Sequence, residues 1–456
     1  MVFLAGLISL AFLPWLAELS LFRKTILLLA WWVLIPLSIP LVIGESKIAL
    51  AEVLLLFWIV IPVWRGVPGS FGKVLKHPVS ILLAIEITIF FLSTLTSSMT
   101  AVSAKRAVLH NMFIVGAYFL FVPIFMETRN ILKMGYLFSI GLIPVLIAGF
   151  TFMARFHFNS EVAPAATRPF FADHTEFGAF TAILFPFLFI SWKYSRHLSL
   201  HLHLWQKLLV TVSLVGVIFS FSRAVWLSAA AAGVLYILIL LGMRFRHLLI
   251  ALLISGTILY QYSEPLYQVV LQNEANSSKQ EVLEQLKSVG NVKTDVSNLE
   301  RINRWKSAIR MFEEKPLFGF GPGTYQFQYA PFQELRDKTV ISTNFGDAGN
   351  AHNEYLMYLS ETGIFGFLTF ISLCLYLTWL GFHLFRKGRT KATQYLALGI
   401  LLGLTTLFIH SLFNSFLETD KIGLTFYLFA AGLVALDINN RHENVDQSIH
   451  LKRTEE

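Results

Sequence analysis

The chain has 456 residues, of which 55% are hydrophobic and only 14% charged, with a mean hydropathy of +0.63. Soluble proteins carry about 25% charged residues, so a soluble globular class is excluded and length sets no domain count. A formal net charge of +8 would point to nucleic acid in a soluble protein; here it is assigned to cytoplasmic connections.

Apolar runs long enough to span a bilayer begin at the N-terminus, which lacks a basic n-region and reads as mature membrane sequence. They fall near 2–19, 25–43, 48–64, 79–97, 108–125, 135–153, 176–192, 207–222, 224–242 and 247–262. Three more follow a long polar segment, near 355–384, 393–416 and 422–437. The expectation is an all-α polytopic membrane protein with about 12-13 transmembrane helices. The single cysteine, Cys374, lies inside an apolar run and excludes an intrachain disulfide or a cysteine-built metal site.

Basic residues set the orientation. One set of alternate connections carries Arg23, Lys24, Arg65, Lys73, Lys76, Arg129, Lys133, Lys193, Arg196, Lys207, Arg244, Arg246, Arg386, Lys387, Arg389 and Lys391, then Arg441, Lys452 and Arg453 in the tail. The other set carries only Lys47, Lys105, Arg106, Arg155, Arg168, Arg223 and Lys421. The first set is therefore cytoplasmic. The polar segment at 263–349, Arg223 and the 154–175 loop share the outer face.

The polar segment opens with Glu264-Pro265, and Val282, Leu283, Leu286 and Val289 can line one amphipathic helix. Leu299 to Glu314 has helical periodicity, with Ile302, Trp305, Ile309 and Phe312 on one face, ended by Lys315-Pro316. The stretch Gly319-Phe320-Gly321-Pro322-Gly323 is no nucleotide loop: no Lys-Ser/Thr follows, and the spacing departs from G-x-G-x-x-G. It reads as a turn after a helix, or as a turn where Gly321 and Gly323 let backbone approach a sugar or phosphate closely.

The segment Ala351-His352-Asn353-Glu354-Tyr355-Leu356 opens the next apolar run. With Asn350 as N-cap, His352 lies in the first turn of a helix, where the dipole disfavours imidazolium and keeps a proton acceptor neutral. Arg223 follows Ser222 at the boundary between two runs, where a charge drawn toward the bilayer centre costs about 2.5–3.5 kcal/mol. Arg301 and Arg304 sit on roughly one face of the amphipathic helix. Arg168 stands in Thr167-Arg168-Pro169. Guanidinium forks grip phosphate oxygens bidentately and stay charged, so these arginines are candidate diphosphate ligands. The outer acids form no Asp-x-Asp pair, which favours a metal-independent site with no cofactor. Asp173-His174 is a polar helix start or a functional pair, while His197, His201 and His203 read as interfacial. His410 and Asn414, four apart, are expected on one helix face near the outer end of a run, and Glu86 is the main acid deep in a span.

Ser222-Arg223-Ala224-Val225-Trp226, then Arg301-x-x-x-Trp305 leading to Pro316-Leu317-Phe318-Gly319-Phe320-Gly321-Pro322-Gly323, then His352-Asn353-x-x-Leu356-x-x-x-x-Glu361-x-Gly363-x-x-Gly366 occur in this order. The set resembles the O-antigen ligase and polymerase family over about 205–375. Arg168, Asp173, His174 and the His410 segment look like family positions outside that core. The apolar runs and basic residues divide the chain into a helical bundle at 1–262, a large outer loop at 263–349, C-terminal spans at 350–437 and a cytoplasmic tail at 438–456, and the resemblance implies that the loop is periplasmic. It implies a multi-pass enzyme of the bacterial inner membrane, acting on its periplasmic face. Such enzymes move a glycan from undecaprenyl diphosphate to an acceptor hydroxyl on a glycolipid or glycan. By motif match the base is His352 and the diphosphate ligands are Arg223 and Arg301, with Arg304 the alternative; Asn353 and Glu354 flank the base. One general base and a good leaving group imply inversion at the anomeric carbon. Asn414 departs from the family, whose members often carry an acid there. A polymerase or a protein O-oligosaccharyltransferase fits the same motifs. A transporter or lipid flippase would show internal repeats and ionisable mid-span residues, and Glu86 alone is thin support for one.

Overall fold

The computed structural model describes residues 30–43, 46–49, 55, 71–198, 203–262, 292–339, 341–343 and 349–454. Among them, eight helices are long and apolar enough to cross a membrane, and two shorter apolar helices, Leu204–Phe219 and Phe245–Ile258, occupy expected runs. The spans are α1 (Pro78–Leu95), α2 (Thr100–Phe113, continued by a π turn and Phe121–Phe125) and α3 (Arg129–Arg155). They continue with α4 (His174–Lys193), α5 (His203–Phe219), α6 (Arg223–Leu240) and α7 (Phe245–Gln261). The outer-segment helix is α8 (Val292–Glu314), and α9 (Glu354–Lys387), α10 (Lys391–His410) and α11 (Asp420–Thr454) close the chain.

Local chemistry starts and breaks these helices. Asp173 caps α4 by accepting from the backbone N–H of Thr175 at 2.8 Å and of Glu176 at 2.9 Å. Thr390 caps α10. Gly363 interrupts α9 at φ 66, ψ −163, a conformation only glycine takes without cost. The membrane part of α11 is almost wholly buried, and α10 packs most extensively on α4. α7 is exposed along nearly its whole length, as a lipid-facing helix is. The stretch 438–456 continues α11 as helix to Thr454, with Asp437 buried between His77 at 3.2 Å and Arg441 at 2.7 Å.

One expected span is corrected. Residues 25–43 read as a single helix, but helix covers 30–37 and then Pro40–Ile43 forms β1, antiparallel to β2 (Ser46–Ala49). Pro40 cannot continue a helix, and Val42, Ile43 and Ile48 favour extended backbone. The expected span at 2–19, most of 48–64 and the amphipathic stretch around Val282–Val289 lie outside the described residues.

The packed face of α8 also differs from its apolar stripe. Asn303, Arg304, Ser307, Ala308 and Met311 are buried, whereas Ile309 is 41% exposed and Ile302, Trp305 and Phe312 are half-buried. Polar partners decide the matter. Glu300 accepts from Thr339 Oγ1 at 3.0 Å and from the Ser342 hydroxyl, and Asn303 donates to Gln333 Oε1 at 2.8 Å.

Candidate active site

Successive spans alternate in direction, so the ends at Leu95, Thr100, His174, Arg223, Glu354, His410 and Asp420 lie on one side. The opposite ends carry Arg129, Lys193, Lys207, Arg244, Arg386 and Lys391. The candidate residues gather at the first of these ends.

Asn353, not Asn350, caps α9. Asn353 is extended (φ −160, ψ 113), and its side chain accepts from Leu356 N–H at 3.0 Å and donates to the Leu412 carbonyl at 3.1 Å. His352 therefore precedes the helix, at a left-handed φ of 50, and is not in its first turn. Asn350 has another task. Its Oδ1 accepts the His352 N–H at 2.9 Å, its carbonyl accepts Arg304 Nη1 at 3.0 Å, and its Nδ2 donates to the Ser415 carbonyl at 3.2 Å. Glu354 is buried: its N–H donates to the Ser411 carbonyl at 2.9 Å and its Oε2 accepts Leu417 N–H at 3.2 Å. Asn353 and Glu354 thus hold the start of α9 against residues 411–417.

The His352 imidazole is kept neutral, but the helix dipole is not the main reason. Burial pushes its pKa down first, the Arg304 and Arg301 cations push it further, and the Asn414 hydrogen bond and the Asp173 carboxylate oppose them; it falls to about 4. Asn414 also contacts His410, with Nδ2 at 3.1 Å from the imidazole Nε2, and the His410 ring stacks on Phe416 at 5.4 Å. His410 and Asn414 are not on one helix face: His410 is the last residue of α10 and Asn414 lies in the turn beyond.

The two arginines of α8 have separated roles. Arg304 is 7% exposed; its Nε meets Glu300 Oε1 at 2.8 Å, and its guanidinium lies 5.3 Å over the Tyr329 ring. Its fork is committed to Glu300 and Asn350. Arg301 makes no ion pair with a carboxylate among the described residues, and neither does Arg223. Burial, and then the positive charge of Arg223, lowers the pKa of Arg301. Two cations thus stand close enough to repel, one of them within electrostatic reach of His352. An anion between them would relieve that repulsion.

The other candidates fall at the margins. Exposed Arg168 gives its Nε to the Ala172 carbonyl at 3.1 Å. His174 opens α4, and its buried Nδ1 has no partner among the described residues. Gly321 and Gly323 approach protein closely. A Cβ on Gly321 would lie 2.3 Å from Ser97 Oγ, and one on Gly323 3.1 Å from Arg106 Cβ. Glu300 supports the site without any sign of it in the motifs, and its four-residue spacing from Arg304 is the signal that could have found it; Asn350 reads in the sequence only as a cap.

Fold and site together define a polytopic helical membrane protein with an arginine-bearing polar site at one end of its spans. Residues 208–371 match the family model described as O-antigen ligase, and this stretch is a domain of the O-antigen ligase and polymerase family. The match holds Arg223, Arg301, Arg304, Gly321, Gly323, His352, Asn353 and Glu354; Arg168, Asp173, His174 and His410 lie outside it. No curated protein matches the chain.

Proposed function

We propose that the protein transfers a glycan from undecaprenyl diphosphate to an acceptor hydroxyl on a surface glycolipid or glycan, at the outer face of the bacterial inner membrane. The observation that carries this reading is the pair Arg223 and Arg301: mutually repelling and without carboxylate partners among the described residues, with Arg301 within electrostatic reach of a neutral His352.

In this reading the two guanidinium groups hold the diphosphate oxygens bidentately. His352 takes the proton of the acceptor hydroxyl as its oxygen attacks the anomeric carbon. The new C–O bond forms as the bond to the phosphate oxygen breaks, and that electron pair leaves with the diphosphate. Its developing charge is met by the arginines, which need no reorganisation. Asp173, already felt by His352, steadies the imidazolium that forms. Attack opposite the leaving group inverts the anomeric centre. Arg304 positions the His352 loop through Asn350 and is not itself a phosphate ligand.

The test is transfer from purified lipid-linked glycan in the presence of EDTA. Arg301→Lys keeps the charge and loses the fork, so activity is expected to fall at least about tenfold, with EDTA leaving the wild type unchanged. Full activity of Arg301→Lys, or EDTA inhibition rescued by Mg²⁺, contradicts the proposal.

A further inference from the structure

Glu361 is a buried carboxylate eight positions into a membrane-spanning helix, a costly place for an acid unless it is fully engaged. It is engaged by backbone. Its Oε2 accepts the Gly323 N–H at 2.8 Å and its Oε1 accepts the Tyr325 N–H at 2.9 Å. Around it the glycine-rich turn pairs with α9 where Gly363 breaks the helix. Phe320 N–H donates to the Ser360 carbonyl at 3.0 Å, Gly321 N–H to the Glu361 carbonyl at 2.9 Å, and Ile364 N–H to the Pro316 carbonyl at 2.8 Å. Ser93 Oγ bridges the carbonyls of Phe318 and Glu361, at 2.6 and 2.9 Å. The turn passes this anchorage on to α8: Tyr325 donates its hydroxyl to the Arg304 carbonyl at 2.8 Å and stacks on Tyr329.

The cavity that Glu361 shares with Arg106, His110, Glu354 and Glu418 has only about 20 Å³ of room for water. That is space for about one molecule, so the carboxylate meets no glycan there. His352 is held chiefly by Asn350, Asn353 and Glu354 against residues 411–417, and α8 reaches it only through the Arg304 hydrogen bond to the Asn350 carbonyl. We infer that Glu361 is a positioning residue of the transfer site: its carboxylate fixes α8, and with it Arg301, against α9. This role rests on the reading of Arg301 as a diphosphate ligand.

The role predicts a split effect. Glu361→Gln turns an NH₂ toward a backbone N–H, so one anchor becomes a donor facing a donor. The donor KM is expected to rise at least about tenfold, with acceptor KM unchanged. Glu361→Asp keeps both acceptor oxygens and should recover part of the loss. Hydrogen exchange without substrate gives a second readout: amides at 316–329 should exchange faster in Glu361→Gln, and those at 350–358 at the wild-type rate. Wild-type exchange at 316–329, or a donor KM within twofold of wild type, overturns the proposal. So does a fall in kcat alone with a displaced acid limb, which would place Glu361 in the proton chemistry of His352. A wild-type chain that transfers no glycan overturns the functional reading on which the role rests, and exchange separates that failure from a failure of the anchor itself.

Discussion

At the scale of single residues, charge decides what each side chain can do. Arg304 and Arg301 are three positions apart on one helix, yet only Arg304 meets a carboxylate among the described residues. The Arg304 and Arg301 cations disfavour a proton on His352, so they lower its pKa; a bound diphosphate opposes them and raises it. The kcat/KM profile reports the free enzyme and the kcat profile the complex. The acid limb of kcat/KM is therefore expected near pH 4, where the free imidazole titrates. The limb of kcat is expected at higher pH. A kcat/KM limb near the ordinary histidine value of about 6.5 contradicts the burial and charge assigned to His352. The histidine and its arginines are legible in the sequence because residue type and motif order point to them. Asn350 is legible only as a cap, since two asparagines bracket His352 and either can cap a helix. The choice depends on contacts with residues 411–417, far away in the chain.

At the scale of elements, the joint between α9 and the glycine-rich turn holds the outer segment on the spans. A Cβ on Gly363 would lie 2.3 Å from the Leu317 carbonyl oxygen, and φ is already left-handed. Gly363→Ala is expected to lower the thermal midpoint in detergent, by more than about 1 kcal/mol in stability. Asn353→Ala loses a cap, about 1 kcal/mol, together with the hydrogen bond to the Leu412 carbonyl. A wild-type midpoint for Gly363→Ala contradicts the packing described for the joint. The spans themselves follow from apolar runs, because a bilayer demands length and hydropathy over one continuous stretch. The buried face of α8 does not, because Glu300, Asn303 and Arg304 find partners that are distant in sequence. The hairpin β1–β2 interrupts an apolar run at Pro40, where hydropathy is blind to backbone.

At the scale of the whole molecule, the basic ends of the spans and the site lie on opposite sides. By the charge rule for cytoplasmic connections, the site end is expected to face outward. The native Cys374 is buried, so an introduced cysteine is the reactive one. Glu313→Cys at the end of α8 should react with a membrane-impermeant maleimide in intact cells. Arg389→Cys, in the connection between α9 and α10, should react only after permeabilisation. The reverse pattern contradicts the orientation, and with it the access of the site to a lipid-linked donor at the outer face.

The most direct measurement is transfer from purified lipid-linked glycan by the wild type and by His352→Ala, at matched expression, with the anomeric configuration of the product read by NMR. A positioned general base contributes about 10²–10⁴-fold. The expected result is a loss of that order for His352→Ala in a protein that still inserts and folds, and an inverted product from the wild type. Near wild-type transfer by His352→Ala, or a product of retained configuration, contradicts His352 as the base of an inverting transfer.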